Sequence, residues 1–171
     1  VNPNQGVAVG MATNICSFNL TEICNTTIEL LKNKDHDILM TLTAPDFPSG
    51  AQLIYDAAAL RNIYETGSGS FRLRAKYRYD KKGKCIEVYE IPYNTTIEAC
   101  QDKIEELVKL GKIKEISYMR DETDINGLKL TIDLKRGVNP DLLMQKLYKM
   151  TPLESSFSCN FNILVGYSPK V

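Results

Sequence analysis

A single histidine, His36, and the absence of any Cys-x-x-Cys pair leave the chain without a recognisable zinc site. The five cysteines (Cys16, Cys24, Cys85, Cys100, Cys159) are odd in number and widely spaced. That argues against a disulfide framework and for a reducing, cytoplasmic setting. No apolar run reaches transmembrane length, and the first residues lack the charged region of a signal peptide. An initiator Met is also missing, so Val1 reads as the start of an excised piece. Gly6-x-x-x-Gly10 is not followed by Gly-Lys-Ser/Thr, which excludes a phosphate loop, and no Gly-x-Ser-x-Gly occurs. Surplus charge is lacking too: Lys+Arg and Asp+Glu both number 21. Any case for a polyanionic partner must therefore be local.

What is present is a chain of 171 residues, 43% hydrophobic and 25% charged, long enough for one domain or for a domain with a small appendage. Its strongest local signal is Ser70-Phe71-Arg72-Leu73-Arg74-Ala75-Lys76-Tyr77-Arg78-Tyr79. Strand side chains alternate with a period of two, so one strand here would put Arg72, Arg74, Lys76 and Arg78 on one face. Phe71, Leu73, Ala75, Tyr77 and Tyr79 would line the other. The apolar face closes a core and the basic face seeks anions. Lys81, Lys82 and Lys84 at the following turn add to it. The plain alternative is a solvated face with cross-strand partners such as Glu87.

Before this strand the chain reads as helical. Residues 1–18 show no period and read as a tight loop. Asn19 with Glu22 caps a helix whose apolar stripe is Leu20, Ile23, Cys24, Ile28 and Leu31. A short helix is expected over residues 37–42 and another over residues 53–65, ended by Gly67. After it come a return strand over residues 84–91 and a capping box at Thr95 with Glu98. A helix carrying Ile97, Cys100, Ile104, Leu107 and Val108 follows. Next are a strand over residues 116–119, a hairpin at Asn126-Gly127, and an alternating strand with Leu128, Leu130, Ile132 and Leu134. Asn139-Pro140 starts a helix reaching Met150, and a last strand spans residues 155–165. The expectation is an α+β fold with a mostly antiparallel sheet in ferredoxin-like β-α-β-β-α-β order and helices on one face, preceded by a helical segment. The division expected is residues 1–66 and 67–171 within one compact unit. Asp121, Glu122 and Asp124 cluster carboxylates, but without calcium-loop spacing and at a turn, where Asp normally collects.

Several blocks in order carry a resemblance. They are Gln5-Gly6-Val7-Ala8-Val9-Gly10-Met11-Ala12-Thr13-Asn14-Ile15, Ile63-Tyr64-Glu65-Thr66-Gly67-Ser68-Gly69-Ser70-Phe71, and Glu90-Ile91-Pro92-Tyr93. Arg120-Asp121-Glu122-Thr123-Asp124, Leu134-Lys135-Arg136 with Asn139-Pro140, and Tyr148-Lys149-Met150-Thr151-Pro152-Leu153 continue the series. Over essentially its whole length the chain resembles the A subunit of bacterial type IIA DNA topoisomerases, gyrase and topoisomerase IV. The match falls on the section after the winged-helix domain, including the tower domain.

The resemblance implies an ATP-dependent machine that passes one duplex through a transient break in another. Its partners would be double-stranded DNA, a second A subunit and the topoisomerase B subunit, with no membrane. Mg and ATP would belong to the B subunit, leaving no cofactor here. The catalytic tyrosine would lie upstream, outside this chain; Arg78-Tyr79 lacks the family's flanking residues. Ile15 matches the family's wedge, an apolar side chain inserted at an unstacked base step, with Asn14 beside it. Arg74 and Lys76 match an Arg-Ala-Lys pattern, and Arg72 and Arg78 extend the row, so all four are candidate DNA contacts. Two departures stand out: Cys16-Ser17-Phe18 replaces the family's Pro-Pro-His, and Gly67-Ser68-Gly69 replaces Gly-Arg-Gly. The competing readings are a structural spacer between the cleavage domain and the coiled-coil gate, and a free-standing ferredoxin-like RNA binder. The last lacks the aromatic pattern such sheets use to stack bases.

Overall fold

The computed structural model describes residues 1–170. In chain order the elements are β1 (Asn4–Ala8), β2 (Met11–Ile15), α1 (Leu20–Lys32), a 3-10 turn (Ile38–Met40), β3 (Gln52–Ile54), α2 (Ala57–Thr66), β4 (Ser68–Arg74), β5 (Lys76–Asp80) and β6 (Cys85–Glu90). There follow α3 (Ile97–Lys109), β7 (Ile116–Asp121), β8 (Leu130–Leu134), α4 (Pro140–Met150), β9 (Glu154–Asn160), β10 (Ile163–Val165) and β11 (Ser168–Lys170). The fold is α+β with antiparallel pairing.

The chain forms two compact units. The first comprises Val1–Pro48, Leu53–Arg72 and the chain from Ser156 on; the second comprises Ser49–Gln52 and Leu73–Ser155. The expected parting at residue 66 differs from this because the last long strand returns to the first unit, where β9 lies between β2 and β4.

In the first unit, residues 1–18 form a hairpin rather than an irregular loop. Ala8 pairs Met11 across a two-residue turn, and Gly10 takes φ +79, a conformation open to glycine at no steric cost. Asn19 caps α1 by accepting from the amides of Thr21 and Glu22, a contact of about 1 kcal/mol. The expected inward stripe of α1 is instead largely exposed: Leu20, Ile28 and Leu31 face water and Thr26 is buried. The Thr26 hydroxyl donates to the Glu22 carbonyl and bonds Thr41, which also meets His36 Nε2 at 2.9 Å. Polar contacts, not the apolar stripe, orient this helix. The helix expected from residue 53 begins later, because Asp56 accepts from the amides of Ala58 and Ala59 and so sets the start of α2. Phe47, Phe71 and Phe157 form the aromatic centre, with Phe71 and Phe157 stacked at 5.4 Å.

In the second unit the sheet order is β5-β6-β8-β7. The ferredoxin-like arrangement does not form. β5 pairs with β6 through the tight 81–84 turn, in the place a returning fourth strand would take, and β9 joins the other sheet. Helices α3 and α4 lay Ile97, Cys100, Ile104 and Leu107, and Leu143, Met144, Leu147 and Tyr148, on the cluster of Ile86, Val88, Leu130 and Ile132. The cap of α3 is Thr96, one residue beyond the expected Thr95, and that of α4 is Asn139 with Pro140 in the first turn.

Candidate nucleic-acid interface

The basic row is two strands, not one. At Ala75 the backbone leaves the ladder: its amide donates to the Leu153 carbonyl at 2.7 Å, and its carbonyl accepts from the Tyr148 hydroxyl at 2.7 Å. Alternation survives the break, with Phe71, Leu73 and Ala75 buried and Tyr77 and Tyr79 half-buried. Arg72 belongs to the first unit; Arg74, Lys76 and Arg78 belong to the second.

Each of those three cations faces a carboxylate. Arg74 bonds Glu154 at 2.7 Å, and its guanidinium lies 4.6 Å from the centre of the Tyr148 ring, a cation–π placement. Lys76 bonds Glu90 at 2.9 Å, which pushes the Lys76 ammonium pKa up. Glu90 also accepts from the Ala51 amide at 2.7 Å. Its carboxylate occupies the space a Cβ on Gly50 would fill, and Gly50 has φ +72. The register from the 81–84 turn sets Arg78 opposite Glu87, and a bulge between Lys76 and Tyr77 sets Lys76 opposite Glu90. Arg78 bonds Glu87, and Glu87 also meets Lys129 at 3.2 Å. The hydrogen bond from Arg78, ahead of that from Lys129, holds the Glu87 carboxyl below its ordinary range. The row continues through Thr131 to Arg120, which pairs Asp133 at 2.8 Å and Glu122 at 3.2 Å. Arg72 is exposed but not without a partner.

Ile15 ends β2, half-buried and opposite Asn4. Its flanks are anchored. Asn14 Nδ2 donates to the Ser158 carbonyl at 2.5 Å, and Thr13 Oγ1 donates to that of Asn160 at 3.2 Å. Asn160 and Asn162 both donate to the Ala12 carbonyl, at 2.9 and 2.6 Å. Asn14 is thus engaged in holding β2 against β9. On the other side Cys16, Ser17 and Phe18 are buried. The Cys16 thiol is pushed up by its hydrogen bond with Cys159 and by burial. Ser17 donates to the Asp46 carbonyl at 2.5 Å, and Phe18 packs on Tyr64 and Phe161. Where the resemblance expects stiffness from two prolines, this chain fixes the strand exit by packing. The sequence held no direct sign of Asn160 and Asn162 as supports, since their partner lies some 150 residues away.

Asp121, Glu122 and Asp124 serve the turn and its neighbours. Asp121 accepts from the Thr123 amide, Asp124 from that of Asn126, and Glu122 from the Thr131 hydroxyl. Asp80, Cys85 and Glu87 bring donor atoms within 4.8 Å of one another. Glu87 is already held by two cations, burial pushes the Cys85 thiol up, and Asp80 accepts from the Lys82 amide.

The family of the DNA gyrase/topoisomerase IV A subunit matches residues 1–171, and the chain belongs to that family. The DNA gyrase A subunit of Ureaplasma parvum serovar 3 is 40% identical over 176 residues, covering 99% of this chain and 21% of that protein. The gyrase A subunit of Neisseria gonorrhoeae is 38% identical, covering 100% and 19%. That of Halalkalibacterium halodurans is 40% identical, covering 100% and 21%. The chain spans about a fifth of the length of these curated relatives. No helix among the described residues is long and apolar enough to cross a membrane.

Proposed function

We propose that this chain is the DNA-engaging and DNA-bending part of the A subunit of an ATP-dependent type II topoisomerase, acting in the cytoplasm. The observation that carries the reading is the setting of Ile15. An apolar side chain stands at the end of an uncharged hairpin whose neighbours on both sides are tied down. A wedge must resist being pushed back as it unstacks a base step, a cost of about a few kcal/mol. Asn14 positions that wedge. The nucleophilic tyrosine comes from another part of the subunit, and Mg and ATP belong to the B subunit. The A subunit works as a dimer.

Arg72, Arg74, Lys76 and Arg78 flank the duplex in this reading, but the last three must exchange a carboxylate for each phosphate they take. That pairing is the specific observation in favour of the second reading, a spacer with little DNA affinity. Ile15→Ala in the full-length protein is expected to reduce bending of a doubly labelled duplex, read by fluorescence transfer, and to reduce cleavage. Unchanged bending would remove the wedge role.

A further inference from the structure

We infer that Cys16 and Cys159 are a reversible oxidation site, two buried thiols on neighbouring segments that hydrogen peroxide joins into an intramolecular disulfide. The pair is independent of any DNA reading; only its consequence for Ile15 rests on the reading that this side chain is the wedge.

The placement follows from how β2 meets β9. The two strands run antiparallel and share one bridge, Asn14 to Asn160. Moving forward along β2 is therefore moving backward along β9. Cys16 lies two positions past Asn14, and Cys159 one position before Asn160, so both fall on the same side of the bridge. Burial completes the meeting. On β9 alternation turns Phe157 and Cys159 to the core and Ser156 and Ser158 to solvent. Beyond Ile15 the chain turns inward, and Cys16 is 0% exposed. The two thiols are hydrogen-bonded to one another. A disulfide needs Cα atoms about 4.4–6.8 Å apart, a separation that neighbouring antiparallel segments supply. Cys85 and Cys100 have carboxylates, a guanidinium and a hydroxyl acting on them rather than a second thiol, and Cys24 is exposed on α1. The resemblance expects Pro at position 16, so Cys16 is what makes the pair possible in this chain.

The two sulfurs are not equivalent. The Cys16 S–H donates to the Cys159 sulfur, and that bond lowers the Cys159 pKa against the opposing effect of burial. The same bond, with burial behind it, raises that of Cys16. Cys159 is thus the thiolate that attacks and Cys16 the thiol that resolves. In the first step the Cys159 thiolate attacks one oxygen of hydrogen peroxide; an S–O bond forms, the O–O bond breaks and hydroxide leaves. In the second the Cys16 sulfur attacks the Cys159 sulfenic acid; the S–S bond forms, the S–O bond breaks, and the oxygen departs as water with the Cys16 proton. The hydroxide takes the proton that Cys159 released. Two thiols and one peroxide therefore give one disulfide and two waters. Two exchange steps with a thiol reductant reverse the bond.

Peroxide reaches the sulfurs where β2 lifts from β9. A single bridge and a few side-chain hydrogen bonds hold that seam, and β1 and β2 are otherwise largely exposed, the marks of a segment that opens locally. Cys16 directly follows Ile15, so the disulfide pins the exit of the wedge strand to β9.

The test is peroxide treatment of the folded 171-residue chain, then alkylation of the remaining thiols in denaturant and non-reducing peptide mapping. The expected product is one peptide pair joined through Cys16 and Cys159, with Cys24, Cys85 and Cys100 alkylated and the link removed by dithiothreitol. In the linked chain, hydrogen exchange at the Thr13, Asn14 and Ile15 amides should slow at least about fivefold. Cys16→Ala leaves Cys159 without its donor and should slow its oxidation at least about fivefold. Cys24→Ser should leave the link unchanged. Circular dichroism checks that each variant folds. Cys16 and Cys159 both alkylated, in a chain whose Cys24 has oxidised, would overturn the site. A link that forms only when peroxide is added in denaturant would overturn it too. Absence of the link, with bending reduced by Ile15→Ala, overturns the site and leaves the wedge reading intact. A link in the folded chain, with bending unaffected by Ile15→Ala, keeps the site and removes its consequence for the wedge.

Discussion

The β1–β2 hairpin and the four-stranded sheet both carry half-open strand surface, and they are held by opposite chemistry. From Val1 to Thr21 no side chain is charged. The hairpin is fixed by side-chain amides and by buried Cys16, Ser17 and Phe18. The outer sheet face is instead a line of ions running from Arg78 through Glu87, Lys129 and Glu122 to Arg120. An uncharged, well-supported hairpin can press against base edges without competing for counterions. A surface of satisfied pairs is already neutralised. In the proposed reading, that contrast favours the hairpin over the basic row as the surface that meets DNA.

The contrast can be tested through stability. The largest effect should come from Phe157→Ala at the centre of the aromatic cluster. It is expected to cost about 3–5 kcal/mol in denaturant unfolding, with little salt dependence. Asn160→Ala removes an amide that holds the Ala12 carbonyl and should cost about 1–2 kcal/mol. Faster hydrogen exchange at the β2 amides is the local readout. Tyr64→Phe works the other way: the Tyr64 hydroxyl is buried with no hydrogen-bond partner among the described residues, so its removal should be neutral or stabilising by about 1 kcal/mol.

Glu87→Gln, in the ionic surface, should cost under about 1 kcal/mol, because the pairs are partly solvated. Its signature is in pH and salt. The Glu87 carboxyl is held below its ordinary range by Arg78 and Lys129. Its contribution is therefore full above the unfolded pKa, about 4.3, and is lost as pH falls through the lower folded value. The variant should flatten that acid limb and weaken the salt dependence of unfolding. Equal salt dependence for Glu87→Gln and the parent would erase the contrast between the two surfaces.

Much of the fold was legible from short-range signals. The caps at Asn19 and Asn139, the hairpin at Asn126-Gly127 (its turn one residue earlier, between bridged Asp124 and Gly127) and the alternation from Phe71 to Tyr79 all depend on neighbours within a few positions. The β1–β2 hairpin was missed because its strands are built of small residues and glycine, with no period to read. The stripe on α1 misled because apolar spacing shows that a helix has an apolar face, not that a neighbour covers it.

The candidate site divides the same way. Its motif singles out Ile15 as a candidate, and alternation singles out the basic row. The carboxylate partners of that row were beyond a local reading. Glu154 lies 80 positions from Arg74, and the bulge between Lys76 and Tyr77 brings Lys76 opposite Glu90. Lys81, Lys82 and Lys84 are legible as the turn after the basic strand, whereas Lys114, Lys135 and Arg136 reach the same end of the sheet only through strand register. Family membership, the helices with their caps and the uncharged character of the hairpin were determined by the sequence itself, since each rests on residue identity or on contacts a few positions apart. Which charges are neutralised and which remain free was decided only by the tertiary structure. Charge pairing acts through space, and strand register sets which ions come within bonding distance.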